Sequence, residues 1–149
     1  MTLENLRRIG QLKAHGPRAQ EIQQLLLAAR RNLSDARKDQ ISYETRFDAA
    51  YKAIMQAALA ALMANGFRPD TNKPGHHATV VQSLTKTIGL TGERVVVLDT
   101  LRHKRNLSDY TGKEIDHASV EACIAEAENL LKDVEAWLKK HRPDLTGET

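Results

Sequence analysis

The chain is 149 residues long, 41% hydrophobic and 28% charged, with a formal net charge of +3, a size at which one core forms without disulfide or metal staples. Its one cysteine, Cys123, excludes an intrachain disulfide and suits a reducing compartment. The N-terminus, with Glu4, Arg7 and Arg8 among scattered leucines, has no signal-peptide core, and the uncharged run 53–66 falls short of the roughly 20 apolar residues of a bilayer span, so a cytoplasmic protein with no membrane contact is expected.

Helical periodicity runs almost throughout, and no sheet is expected. A first short helix spans Thr2 to Lys13 and stops at His15-Gly16-Pro17, with Pro17 suited to the entry of the next helix. The second runs from Arg18 to Lys38, and its stripe Ile22, Leu26, Ala29, Leu33, Ala36 follows the 4-3-4-3 spacing of one buried face. Ser42 caps a third helix with the stripe Phe47, Tyr51, Ile54, Ala58, Ala61, which Gly66 ends. The polar loop 67–75, with Pro69 and Pro74, delivers His76-His77 to a fourth helix ending near Ile88.

Thr91 caps a fifth helix reaching Tyr110. Within it, Val95-Val96-Val97-Leu98 is β-like but lacks a turn signal, and is read as helix. The last helix, His117 to Lys140, carries Val120, Ile124, Ala127, Leu131, Val134 and Leu138 as a bundle seam. Cys123 and Trp137 belong to its packing rather than to chemistry. The expected fold is therefore all-α: an up-and-down bundle of four to five long helices plus a short N-terminal one, with residues 1–142 a single helical domain and 143–149 a frayed tail.

Charge is unevenly spread. Residues 1–113 hold 18 Lys and Arg against 10 Asp and Glu, and residues 114–149 hold 4 against 9. This admits anion or nucleic-acid contact on one side, and equally a charged helical surface.

The segment Leu101 to Gly112 departs most from ordinary helical core. At about 100° per residue, Arg102, Arg105, Asn106 and Asp109 share one arc, with His103 and Tyr110 on its flank. Arginine binds phosphate bidentately and stays charged at any working pH, so this inventory suits phosphate, nucleotide or RNA recognition. A solvated, ion-paired helix end is the plain alternative. His76 and His77 are poor metal ligands, because adjacent histidines on a helix point about 100° apart and no Cys or carboxylate stands at ligand spacing. One of them packing beside the Arg105 cluster is the better reading. Phosphate loops, GxSxG elbows and HExxH pairs are missing.

At Arg105-Asn106-Leu107-Ser108-Asp109-Tyr110 the chain resembles the HEPN superfamily, small helical-bundle proteins of bacterial toxin–antitoxin and defence systems. The similarity extends through Tyr43…Phe47-Asp48-Ala49-Ala50-Tyr51, Leu62…Asn65-Gly66-Phe67-Arg68-Pro69, Gly75-His76-His77-Ala78 and Leu98…Leu101-Arg102, over residues 40–112. It looks like the stand-alone bacterial branches of that superfamily, which lack a fused enzyme. The resemblance implies a homodimer and metal-independent cleavage of single-stranded RNA, with no cofactor. Arg105 and Asn106 match the first two positions of the superfamily's signature, and Tyr110 stands where its histidine belongs.

A tyrosine with an ordinary pKa near 10 is a poor general base at neutral pH, which argues against full ribonuclease activity. His76, His77 or His103 would then have to supply the imidazole. Within the resemblance, Arg105, Asn106 and Tyr110 hold the catalytic positions, while Arg102, His103, Asp109, His76 and His77 serve RNA or nucleotide binding. Tyr110 is also a candidate acceptor for a nucleotide attached by a cognate nucleotidyltransferase, which would act as the antitoxin. The alternative is a non-catalytic module that binds a nucleotide or a protein partner.

Overall fold

Alanine is the key to the architecture. The helix richest in it becomes the axis around which the others pack, since small side chains let several helices approach one backbone closely. In the computed structural model, which describes residues 1–147, the chain forms α1 (Leu3–Arg8), β1 (Leu12–Ala14), α2 (Ala19–Ala36), α3 (Tyr43–Ala64), β2 (Phe67–Pro69), α4 (His76–Gln82), α5 (Leu84–Thr87), α6 (Gly92–Thr111) and α7 (His117–His141), then a 3₁₀ turn (Pro143–Leu145). The axis is α3, which buries Ala53, Ala57, Ala58, Ala60, Ala61 and Ala64 together with Phe47, Ile54 and Leu62. It packs against α2 and α7 and, less extensively, α4, α5 and α6.

Side-chain bridges fix the helix directions. Asn32 donates to Gln56 at 2.8 Å, and Arg46 Nε donates to the Ala36 carbonyl at 2.7 Å, so α3 folds back along α2. Cys123 Sγ lies 3.9 Å from the Phe47 carbonyl, and Arg142 donates to the Ala64 carbonyl at 3.1 Å, so α7 runs parallel to α3. The pairs Arg30–Glu135 and Arg37–Glu128 join α2 to α7, and Arg94–Asp133 joins α6 to α7. The four long helices thus alternate up and down. In these pairs arginines on and just after α2, and one on α6, face carboxylates of the acidic α7.

Ser42 and Thr91 cap their helices as expected from the sequence, and Asp116 caps the last one. Ser42 accepts from Thr45 N at 3.2 Å, Thr91 from Arg94 N at 3.3 Å and Asp116 from Ser119 N at 2.8 Å. The buried residues of α2 are the stripe Ile22, Leu26, Ala29, Leu33 and Ala36.

Four expectations are corrected. The first helix does not reach Lys13. Gly10, with φ of 81°, ends it, and β1 pairs antiparallel with β2 through Leu12–Pro69, Lys13–Arg68 and Ala14–Phe67. A small sheet therefore exists where none was expected, because three-residue strands are too short to show alternation. The fourth helix breaks at Ser83, whose hydroxyl donates to the Val80 carbonyl at 2.7 Å and competes with the helical ladder. The tail is not frayed at its start. Leu145 is buried, and its carbonyl accepts from Gln23 at 2.9 Å. Glu148 and Thr149, the end of that tail, lie outside the described residues. Among those described, no helix is long and apolar enough to cross a membrane.

Candidate functional site

The inward face of α6 changes character along its length. Val95, Leu98 and Leu101 are buried; one turn further on, the same face carries Arg102 and Arg105. Both stay because partners surround them. Arg102 Nε donates to Asp99 Oδ1 at 2.8 Å, and that bond holds the Asp99 carboxyl below its ordinary range. Arg105 Nε lies 3.4 Å from Asp109 Oδ2 and 3.7 Å from Asp48 Oδ1 of α3, longer than good hydrogen bonds. Its guanidinium carbon stands 5.1 Å from the centre of the Tyr51 ring, within cation–π range.

Arg105 borders a groove of about 540 Å³ whose walls come from α3, the end of β2 and α4. Arg105, Asp48, Lys52, His76 and His77 supply polar lining, and Met55, Leu59, Val80 and Pro69 supply apolar lining. The imidazoles of His76 and His77 meet edge to face at 4.6 Å, and His77 lies 6.4 Å from the Tyr51 ring. Burial, then the nearby His76, Arg105 and Arg102, hold His77 below the ordinary histidine pKa. It is a neutral ring at pH 7, able to donate and accept.

Two groups of the groove lining titrate upward. Burial, reinforced by Asp109 and opposed by Arg105, raises the Asp48 carboxyl. Burial pushes the Tyr51 phenol up to about 12 against the pull of Arg105 and Arg102. Tyr51 is therefore a permanent donor, yet its buried hydroxyl has no hydrogen-bond partner among the described residues.

The structure brings together Arg105, His76 and His77, with Arg102 and Asp109 alongside. It does not bring Tyr110 or His103 to the groove. Tyr110 is 87% exposed, and His103 is exposed beside Asp99, at 3.3 Å, and Arg102, at 3.2 Å. Asn106 is half-buried and does not line the groove. At about 100° per residue, Tyr110 stands roughly 140° around α6 from Arg105, so one copy does not assemble the full motif. Among the described residues, no cluster of three or more His, Cys, Asp or Glu side chains could hold a metal.

Sequence reasoning missed Lys52 as a site residue, and took Asp48 only as part of a resemblance and Tyr51 only as part of that resemblance and of a buried stripe. The available signal was a phenol inside the otherwise apolar stripe of the third helix, three residues after an aspartate. No model of a known protein family matches the chain, and no curated protein matches it.

Proposed function

We propose that this protein is a HEPN-like, RNA- or nucleotide-phosphate-linked helical module that acts as a homodimer. The observation that carries the reading is the convergence of Arg105 with His76 and His77 in one groove: a guanidinium that can face a phosphodiester beside imidazoles that can exchange protons. In the catalytic form of the reading, Arg105 and Arg102 stabilise charge at the scissile phosphate, Asp109 holds Arg105 in place, and Asn106 orients the substrate. His77, neutral and adjacent, replaces the missing motif histidine as the base.

Dimerisation is supported by the outward face of α6. Val96, Thr100, His103, Leu107 and Tyr110 recur there at 4-3-4-3 spacing, and Val96, Leu107 and Tyr110 are exposed at 65%, 51% and 87%. This is a coiled-coil-type seam without a partner among the described residues. An antiparallel second copy centred on His103 would set Val96 against Tyr110 and Thr100 against Leu107.

The second reading is a non-catalytic module that binds a nucleotide or a protein. The wide angular separation of Tyr110 from Arg105 favours it. The experiment pairs light scattering with a fluorescent single-stranded RNA, assayed for both binding and cleavage. Arg105→Ala should weaken either by about 1.5–3 kcal/mol, the worth of a charge-assisted contact. Tyr110→Phe, with mass spectrometry of protein co-expressed with its gene neighbour, tests nucleotide attachment. Wild-type protein that neither binds nor cuts RNA and carries no added nucleotide sinks the RNA reading and leaves the interaction module. A monomer at tens of micromolar, the ordinary range for a weak dimer, sinks the homodimer.

A further inference from the structure

We infer that the groove between α3 and α4 is a binding site for a small organic monoanion, a carboxylate on a flat apolar body, held by Arg105 and Tyr51. Three features point to this chemistry. The first is the mixed lining of the groove, which sets charged side chains in one groove with Met55, Leu59 and Val80. A volume of about 540 Å³ lies within the usual range for small-molecule pockets. A ligand that meets both kinds of lining needs an anionic head and an apolar body.

The second feature is the looseness with which Arg105 is held. Its contacts to Asp48 and Asp109 are 3.7 and 3.4 Å, and the Asp48 side chain is 53% exposed. An entering carboxylate can therefore take the guanidinium fork at little cost, while Asp48 turns to water. Asp48 and Asp109 beside the guanidinium disfavour a second negative charge on the ligand, which Lys52 only partly offsets. A monoanion meets half that repulsion and still gains the bidentate bond.

The third feature is Tyr51. It lines the groove, is 3% exposed and buries a hydroxyl without a partner. Such a group destabilises the free protein, and phenylalanine would fill the same space without that penalty. Arg105 lies across its ring. In the proposed complex the guanidinium moves towards the anion, and the phenol turns to supply a second donor to the carboxylate.

The inference does not depend on the RNA reading. A protein that binds RNA but not the acid overturns it alone, and one that binds the acid but not RNA leaves it standing. The test is a proton–nitrogen NMR titration of the full-length protein with 1-naphthoate, its neutral carboxamide and AMP. Naphthoate should saturate, with shifts at residues 48–59 and 76–80, and should bind about ten-fold or more tighter than the carboxamide.

Arg105→Gln should erase that preference, and Met55→Asp should abolish binding of both. Tyr51→Phe should act in opposite directions on two readouts: affinity for naphthoate falls several-fold while the melting temperature of the free protein rises. Absence of saturation at about 10 mM, equal binding of the carboxamide, tighter binding of AMP, or full affinity in Arg105→Gln each overturns the proposal. Full affinity in Tyr51→Phe overturns the role given to the hydroxyl.

Discussion

α3 and the second half of α6 are both amphipathic helices in one bundle, yet they are built on opposite principles. α3 is closed on several sides by small side chains and shows little but Asp48, Lys52 and a few half-buried residues to the groove. α6 buries three apolar residues, then replaces the next positions of that face with arginines. The contrast teaches where this fold separates stability from chemistry. Close packing around alanine tolerates no rearrangement, whereas charges held by neighbouring carboxylates can exchange one partner for another.

Substitutions can break or sharpen that contrast. The largest effect is expected at Phe47, fully buried in α3. Phe47→Ala should cost about 3–5 kcal/mol, measured by urea unfolding, and a much smaller loss would mean that α3 is not the axis of the core. Leu98 is equally buried but sits on the lightly packed α6, so Leu98→Ala should lie at the low end of its class, about 2–3 kcal/mol.

Arg46 ranks next. It is buried, it donates to the Ala36 carbonyl and it stands 3.7 Å from Glu121. Arg46→Met leaves that carbonyl unpaired and should cost about 1–3 kcal/mol in the same experiment. Leu107→Glu, on the outward face of α6, should change unfolding by less than about 0.5 kcal/mol. In the proposed dimer it should nonetheless give a monomer by light scattering.

The smallest effect is a pH dependence. His77 has a folded pKa below its ordinary value of 6.5, so the unfolded chain takes up its proton first as the solution is acidified. The stability His77 contributes is complete above pH 6.5 and is lost as the pH falls from there through its lower folded value. In His77→Gln that part of the slope should vanish from unfolding curves recorded across this range. An unchanged slope would place the titration elsewhere.

The long helices were legible because their faces repeat over many turns. The stripes Ile22–Ala36 and Val120–Leu138 each span enough turns for 4-3 spacing to stand out. β1 and β2 were not, since three residues carry no period and their pairing joins distant parts of the chain. In the candidate site, the arginine-rich end of α6 and the His76-His77 pair were visible as residue types out of place on a helix. The apolar lining of the groove was not, because Met55 and Leu59 look in sequence like any other core-flanking residues. The orphaned hydroxyl of Tyr51 also needs coordinates, since a stripe tells that a tyrosine is buried but not whether its oxygen meets a partner. Tyr110 illustrates the converse. It stood out in sequence through its place in a motif, and on the folded chain it lies on the far side from Arg105.

The Leu12–Pro69 rung has a consequence for the order in which the molecule is made. Pro69 is a wall of the groove, and its strand partner leaves the ribosome before α2 and α3 exist. β1 must therefore wait, unpaired, until both helices have been synthesised and folded back, because only then does β2 emerge. The groove is completed late in biogenesis, and by a segment made before either helix. Deleting residues 1–14 should spare most of the helical bundle and still loosen the loop that leads into His76 and His77.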